Sequence, residues 1–236
     1  GLASCDGVMR YLREQGAGVK VGFHTVPLVA GAVIFDLNAP ELRYPDAVMG
    51  YKACAAAVPL RDGEGRYAAA ERFSGAGRGA TVGKIAGPER CQRGGVGLAV
   101  VKAGGAEIAA LTVVNALGDV FDCETGKIVA GARAENGFWD ANKWILSGQF
   151  TNAPEAGRNT TIGAIVTDAN LTKAQCNRLA EVAHDGLALA IRPVHTGMDG
   201  DALFVLSAGE KEADFNALCV AAVEAVRLSI LNAVRA

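Results

Sequence analysis

Apolar and polar residues are distributed along this chain with periods that predict alternating helices and strands. A helix is expected over 2–15, because apolar side chains recur there at helical spacing and Gly16 provides a stop (Leu2, Cys5, Val8, Met9, Leu12). The nearly continuous apolar run 26–37 is typical of a strand covered on both faces. A second helix is expected at about 46–58.

The second half of the chain is more regular. Strands are predicted at 95–102, 107–115 and 119–122, and residues 61–83 and 130–157 are interpreted as long loops. A strand at 160–167, a helix at 172–190, a strand at 202–207 and a helix at 213–234 follow, and Thr172 with Gln175 forms a predicted capping box. No linker separates these elements, so a single α+β layered domain over 1–236 is predicted.

The composition and net charge of the chain exclude several classes of protein. Half of the 236 residues are hydrophobic and the formal net charge is −2, which excludes a disordered chain and gives no reason to expect nucleic acid as a partner. No stretch approaches the ~18 uninterrupted apolar residues of a membrane span, so no membrane partner is expected. The six cysteines stand far apart without a CxxC pair, which predicts scattered buried thiols and a reducing cytoplasm.

Three motifs suggest chemistry that their spacing does not support. The glycine-rich stretch 74–84 fits neither a Walker loop nor a dinucleotide fingerprint, and is interpreted as a flexible loop that delivers Lys84 to a site. His24, His184 and His195 lack the spacing of metal ligands, so no metal and no cofactor is predicted, and His184 is interpreted as a surface residue. Asp199-Gly200-Asp201, taken alone, is typical of a turn.

The pair Asn159-Thr160 lies where an irregular stretch meets a buried strand. An N-terminal threonine can be a complete catalyst, since its hydroxyl attacks while its own α-amine accepts the proton. Within a peptide bond Thr160 has no such amine, so the chemistry requires scission of the Asn159–Thr160 bond. Asn-Thr pairs are common, and the string alone leaves an ordinary strand start open.

Two longer blocks carry a family resemblance. Residues 159–167 (NTTIGAIVT) and 195–204 (HTGMDGDALF), with upstream blocks at 2–12, 32–37 and 44–46, resemble the L-aminopeptidase/D-esterase family of self-processing hydrolases, on its nylon-oligomer hydrolase side. The resemblance covers essentially the whole chain. It implies a four-layer αββα sandwich, similar to N-terminal-nucleophile hydrolases and to ornithine acetyltransferase.

The resemblance also implies roles for individual residues. Thr160 takes the position of the nucleophile, released by cleavage into 1–159 and 160–236, and Asn115 that of the oxyanion-stabilising amide. Lys84 matches an active-site lysine, and Asp199 and Asp201 match carboxylates that orient the nucleophile and its amine. The implied substrates are small-molecule or peptide amides, and the implied assembly is a homo-oligomer of α/β heterodimers, such as a tetramer.

Two departures from the family pattern leave alternatives open. Phe35 lines the site where the nylon-oligomer hydrolase has a tyrosine, which removes a hydroxyl from the oxyanion region. Family members carry a segment ahead of the first helix, whereas this sequence starts at Gly1 and has its first methionine at Met9, which predicts a fragment or an incompletely recorded sequence. An acyltransferase of the ornithine acetyltransferase type and a catalytically impaired family member are the alternative functions.

Overall fold

The computed structural model describes residues 1–37, 43–59, 72–148 and 158–235. The chain forms two compact units, each described by itself below. The first comprises Gly1–Val33 and Leu37–Ala69, and the second Ile34–Asp36 and Ala70–Ala236. The predicted single domain and its division after residue 159 remain predictions.

The first unit contains two helices and a small hairpin. Helices α1 (Ser4–Glu14) and α2 (Ala47–Ala55) pack closely, since a Cβ on Gly7 would lie 1.8 Å from the Ala47 carbonyl oxygen. Strands β1 (Val19–Val21) and β2 (His24–Val26) pair antiparallel. Both helices lie within the predicted ranges.

The predicted strand over 26–37 is wrong. Only Val26 belongs to a strand, and residues 27–37 have no regular secondary structure. Pro27 lacks the N–H that a ladder needs, and Leu28 and Val33 are 75% and 50% exposed, so the run is not covered on both faces. An apolar run predicts a buried strand only where other elements cover it.

The second unit contains the remaining elements. The strands are β3 (Thr81–Val82), β4 (Gln92–Arg93), β5 (Gly95–Ala103), β6 (Ala106–Asn115), β7 (Asp119–Asp122), β8 (Lys127–Ala130), β9 (Thr160–Ala169), β10 (Ile191–Arg192) and β11 (Ala202–Lys211). The helices are α3 (Ala141–Leu146), α4 (Lys173–Ala188) and α5 (Phe215–Val234). The predicted α+β class is confirmed.

A four-stranded sheet in the order β11-β9-β6-β5 organises this unit. Strand β6 runs antiparallel to both β5 and β9, while β11 runs parallel to β9 after a crossover through α4. The predicted capping box starts α4, since Thr172 accepts a hydrogen bond from the Gln175 N–H and the Gln175 side chain accepts one from the Thr172 N–H. Helix α5 packs closely on β5, where a Cβ on Gly97 would lie 1.9 Å from the Ser229 carbonyl oxygen. The core lies between these helices and the sheet and includes Ile108, Ile165, Leu179, Leu187, Leu218 and Ile230.

Helix α5 is long and apolar enough to cross a membrane by length and composition, but 61% of its apolar window is buried inside the protein. The six cysteines are free thiols. Five are half-buried and Cys123 is exposed, so the prediction of buried thiols is wrong.

The two predicted loops contain regular elements. Strand β8 and helix α3 lie within or beside 130–157, and α3 begins at the N-cap Asp140, whose carboxylate accepts from the Lys143 N–H at 3.1 Å. Buried Asp119 accepts from the Ala132 and Ala141 N–H groups at 3.1 and 2.8 Å, which anchors this segment from a distant strand. Residues 60–71 and 149–157 of these loops lie outside the described residues.

Candidate active site

Thr160 and Asn115 lie opposite each other at the end of one strand pair. Asn115 is the last residue of β6, Thr160 is the first of β9, and the antiparallel register pairs their Cα atoms. Directly opposed residues project to the same side of a sheet. The β6–β9 ladder, fixed by the buried alternation along both strands, therefore places the predicted nucleophile beside the predicted amide.

The peptide bond before Thr160 is buried and held at its carbonyl. The Thr160 Oγ1 donates to the Asn159 carbonyl oxygen at 2.5 Å, and the Gly200 N–H donates to the same oxygen at 2.9 Å. The Asn159 Nδ2 donates to the Met198 carbonyl at 3.3 Å, and Asn159 pairs with Asp199 in a parallel bridge. Asn159, Thr160 and Thr161 are all buried.

Lys84 is the cation of this site. Its Nζ donates to the carbonyl oxygen and the Oδ1 of Asn115 at 2.8 and 2.9 Å and to the Arg158 carbonyl at 2.9 Å. Burial lowers the pKa of the Lys84 ammonium to about 8, against the opposing attraction of Cys91, Asp199 and Asp36. A lysine with that pKa loses its charge only slightly above neutral pH.

Lys84 is not delivered by a flexible loop, and that prediction is wrong. It starts a 3-10 turn (Lys84–Ala86) directly after β3, and its N–H donates to the Leu117 carbonyl at 2.9 Å. Gly83 before it has φ +68, and a Cβ there would lie 2.1 Å from the Ala132 nitrogen. The glycine permits a close backbone crossing that fixes the lysine.

The Asn115 amide has a complete set of partners. Its Nδ2 donates to the Phe35 carbonyl at 3.1 Å and to the Arg158 carbonyl at 3.3 Å, and its Oδ1 accepts from the Thr81 N–H at 3.0 Å. Phe35 thus enters the site through its main chain, while its ring lies under the Arg158 guanidinium at 5.2 Å. The Asn115 and Lys84 donors converge on one carbonyl, that of Arg158.

The two predicted carboxylates hold different segments: Asp199 holds its own turn, and Asp201 holds the start of β9. The Asp199 Oδ2 accepts from the Oγ1 and N–H of Thr196 at 2.6 and 3.0 Å, which fixes its turn. The Asp201 Oδ1 accepts from the Thr161 N–H at 2.7 Å. Burial and the nearby Asp199 charge raise the pKa of Asp201, although the Thr161 N–H favours its ionised form.

His184 and His195 also belong to the site, although the sequence analysis did not place them there. The His195 Nδ1 lies 2.9 Å from the Asp201 Oδ2, and the His184 Nδ1 lies 3.4 Å from the His195 Nε2. His184 is half-buried against that ring, so its interpretation as a surface residue is wrong, and burial together with His195 lowers its pKa. His195 has φ +58, which is rare for a residue with a side chain. Its place beside the 199–201 turn was the signal available in the sequence.

All the predicted site residues therefore lie in one connected region of the second unit. Lys84, Asn115 and Arg158 form one hydrogen-bonded group, and Asn159, Thr160 and the 199–201 turn form the adjacent one. Among the described residues, Asp199 accepts from Thr196, and Asp201 accepts from the Thr161 N–H and contacts His195. Neither carboxylate has a described hydrogen bond to the Thr160 hydroxyl. No group of three potential metal ligands is present in the described part of the chain.

A family model described as peptidase family S58 matches residues 1–236. Because the match spans the whole given sequence, the chain belongs to this family. An uncharacterized aminopeptidase of Mycobacterium leprae is 41% identical to this S58 chain over 217 residues, which cover 90% of the chain and 58% of that protein. A 6-aminohexanoate-oligomer endohydrolase of Kocuria sp. is 33% identical over 216 residues, which cover 85% of the chain and 58% of that protein.

Solved structures share the fold of this S58 chain. A Burkholderia sp. beta-aminopeptidase superposes with a TM-score of 0.52 at 23% identity, over 98% of this chain and 62% of that one. The PH0078 protein of Pyrococcus horikoshii gives a TM-score of 0.53 at 20% identity, over 98% and 61% of the two chains. The S58 chain thus spans about three fifths of the length of these relatives.

Proposed function

We propose that this S58 chain is a self-processing amidohydrolase that cleaves its own Asn159–Thr160 bond and then uses Thr160 as an N-terminal nucleophile. The observation that supports this most directly is the 2.5 Å contact between the Thr160 hydroxyl and the carbonyl oxygen of Asn159. The hydroxyl lies beside the bond that must break, and both residues are buried among polar groups. The family match supports the same reaction class.

The proposed self-cleavage is an N-to-O acyl shift followed by hydrolysis of the resulting ester. The Thr160 Oγ1 bonds to the Asn159 carbonyl carbon, its proton passes to the Thr160 nitrogen, and the C–N bond breaks to give an ester and a free α-amine. Water then hydrolyses the ester, which leaves the Asn159 carboxylate and restores the Thr160 hydroxyl. The Oδ1 of buried Asn159 has no hydrogen-bond partner among the described residues, which costs about 1–3 kcal/mol, and release of Asn159 relieves that cost.

After cleavage the α-amine of Thr160 becomes the general base. Its reference pKa of about 7.7–8.0 is far closer to neutrality than the ~10.4 of a lysine, so a useful fraction is unprotonated at neutral pH. The Thr160 hydroxyl attacks the substrate amide, the amine of the substrate leaves with the transferred proton, and water releases the acyl group. Asp201, which holds the Thr161 N–H, keeps the new N-terminus in place.

The Asn115 and Lys84 donors then become available to substrate. In the uncleaved chain they hold the Arg158 carbonyl, and departure of residues 158 and 159 frees them. Donors aimed at a developing oxyanion are worth about 2.7–4 kcal/mol each in comparable sites. The chain's own peptide therefore occupies the position that a substrate carbonyl takes later.

The proposed substrates are amides of peptides, amino-acid amides and ω-amino-acid oligomers. Some relatives are named aminopeptidases and others 6-aminohexanoate-oligomer endohydrolases. The proposal therefore includes both exo-acting and endo-acting cleavage. Release of p-nitroaniline from alanine p-nitroanilide, compared with cleavage of a 6-aminohexanoate oligomer, separates the two modes. The assembly of α/β heterodimers into an oligomer belongs to the same proposal.

Mass spectrometry of purified protein tests the proposal. The wild-type chain should yield pieces ending at Asn159 and beginning at Thr160. Thr160→Ala should stay intact and inactive because it lacks the attacking oxygen, whereas Thr160→Ser, which keeps a hydroxyl, should cleave. A wild-type chain that stays intact through long incubation, or a Thr160→Ala variant that cleaves at the same bond, contradicts the proposal.

A further inference from the structure

The carbonyl oxygen of Asn159 has two hydrogen-bond donors among the described residues. One is the Thr160 hydroxyl, which must give up its proton and turn toward the carbonyl carbon when it attacks. The other is the Gly200 N–H at 2.9 Å, which takes no part in bond making. Once the hydroxyl attacks, the Gly200 N–H is the donor among the described residues that still faces the oxygen on which negative charge develops.

The Asn115 amide cannot serve the same oxygen in this arrangement. Its Nδ2 hydrogens go to the Phe35 and Arg158 carbonyls, and the Lys84 ammonium goes to Asn115 and Arg158. Both donors thus bind the carbonyl one residue before the bond that breaks. The amide predicted to stabilise the oxyanion is committed elsewhere during self-cleavage.

The backbone at Gly200 is held firmly enough to act as a preorganised donor. The parallel bridge between Asn159 and Asp199 aligns the two segments, and the Asp199 carboxylate fixes the turn through Thr196. A Cβ on Gly200 would lie 3.0 Å from the Thr160 Oγ1, so a side chain at this position would crowd the nucleophile. The N–H already lies 2.9 Å from the carbonyl oxygen that becomes the oxyanion, and an effective donor lies 2.7–3.1 Å from the position that the charged oxygen takes.

We propose that the Gly200 N–H is the catalytic oxyanion donor of self-cleavage, whereas the Asn115 and Lys84 donors serve the later hydrolysis of substrate. This inference rests on the proposed function. It assigns the two reactions, which share one nucleophile, to different donors. The division follows from the register of the chain: Asn159 pairs with the 199–201 turn, and Arg158 pairs with Asn115 and Lys84.

An amide-to-ester exchange at Gly200 tests the donor with little other change. Incorporation of glycolic acid at position 200 replaces the N–H by an oxygen, and a matched ester at Gly137, on an exposed turn, controls for the chemistry of the exchange. We expect self-cleavage of the Gly200 ester to be about a hundredfold slower, the loss typical of one oxyanion donor. The Gly137 ester should cleave at the wild-type rate.

The cleaved products separate this inference from a general structural effect. Once the Gly200 ester has cleaved, its kcat for amide hydrolysis should fall by much less than its self-cleavage rate, because hydrolysis uses the Asn115 and Lys84 donors. If the Gly200 ester and wild type cleave themselves at equal rates, the inference is overturned and the proposed function stands. The same conclusion follows if the kcat for amide hydrolysis falls as much as the self-cleavage rate does. A wild-type chain that never cleaves overturns both.

Discussion

At the scale of single residues, the site depends on a position without a side chain. Gly200 lies against the Thr160 hydroxyl, and an added methyl group would meet that oxygen at 3.0 Å, closer than ordinary contact. Displacing a nucleophile by a few tenths of an ångström disturbs its approach to the carbonyl carbon, and misplacement by 1 Å can cost about a hundredfold in rate.

We therefore expect Gly200→Ala to slow self-cleavage about tenfold, a smaller loss than a full ångström of misplacement produces. The half-time of cleavage, followed by denaturing electrophoresis after rapid dilution from denaturant, gives the measurement. Gly197→Ala is the matched control in the same segment, because a Cβ at Gly197 meets nothing within 4 Å. Similar half-times for the two variants would show that the space beside the hydroxyl is not critical.

Residue types in the sequence identified the side-chain chemistry but not the main-chain chemistry of this site. The Asn159-Thr160 string suggested Thr160, the family resemblance added Asn115 and Lys84, and the structure brings all three into one region. The Gly200 N–H and the Arg158 carbonyl could not be found that way, because every residue but proline has the N–H and every residue has the carbonyl. Their importance arises from register, which pairs residues far apart in the chain. The positive φ of His195 is likewise a property of the folded turn.

At the scale of elements, the spacing of apolar residues correctly predicted those strands and helices whose buried faces follow that spacing. Strands β5, β6 and β9 alternate buried and half-buried residues, and helices α4 and α5 present apolar stripes. Short elements such as β3 and α3 were missed, because distant partners hold them. Helix α3 depends on the Asp119 carboxylate from β7, which accepts from the Ala141 N–H. The run 27–37 does not form a strand, because Pro27 lacks the N–H that a ladder needs and because Leu28 and Val33 remain 75% and 50% exposed.

The contact between the Asp119 carboxylate and the segment around α3 is sensitive to pH. Burial raises the pKa of Asp119 from its ordinary 3.8 to about 6, against the two N–H groups that favour the ionised form. The folded chain therefore holds this proton more tightly than the unfolded chain does. The protonated carboxyl stabilises the fold fully below pH 3.8, and that contribution is lost as pH rises through about 6.

We expect the free energy of unfolding of wild type, relative to Asp119→Asn, to fall by up to about 3 kcal/mol between pH 3.5 and 7. The asparagine cannot ionise, so subtraction of the variant isolates this carboxyl. Urea unfolding at several pH values gives the measurement, with Glu135→Gln, at an exposed carboxylate, as the matched control variant. A wild-type-to-variant difference that is constant with pH would contradict a buried, proton-binding Asp119.

At the scale of the whole chain, the predicted cleavage falls in a connection and leaves the packing in place. The four-stranded sheet takes β5 and β6 from the first piece and β9 and β11 from the second. Eight register pairs, from Ile108↔Thr167 to Asn115↔Thr160, join β6 to β9 across the division. The sheet thus continues across the division between the two products.

Helix α5 adds polar contacts across the same division. The buried Ser229 hydroxyl bonds to Thr112 at 3.0 Å, and the Asn232 Nδ2 donates to the Leu98 carbonyl at 2.9 Å. Arg227 and Arg235 reach Glu124 and Asp122 at 2.7 Å. Because Arg227 is buried, its pairing with Glu124 and Glu224 is a requirement of the packing and not an incidental surface contact.

These contacts predict that cleavage produces a stable heterodimer. Pieces of 159 and 77 residues should separate in denaturing electrophoresis and elute together in native gel filtration, at the volume of the intact Thr160→Ala variant. Their association buries the apolar faces of β5, β6 and α5, which neither piece can cover alone. Ser229→Ala removes one cross-division hydrogen bond and should lower the urea midpoint for dissociation without preventing cleavage. Asn177→Ala, at an exposed position of α4, is the control that should leave that midpoint unchanged. Separate elution of the two pieces in native buffer would show that the sheet does not hold them together.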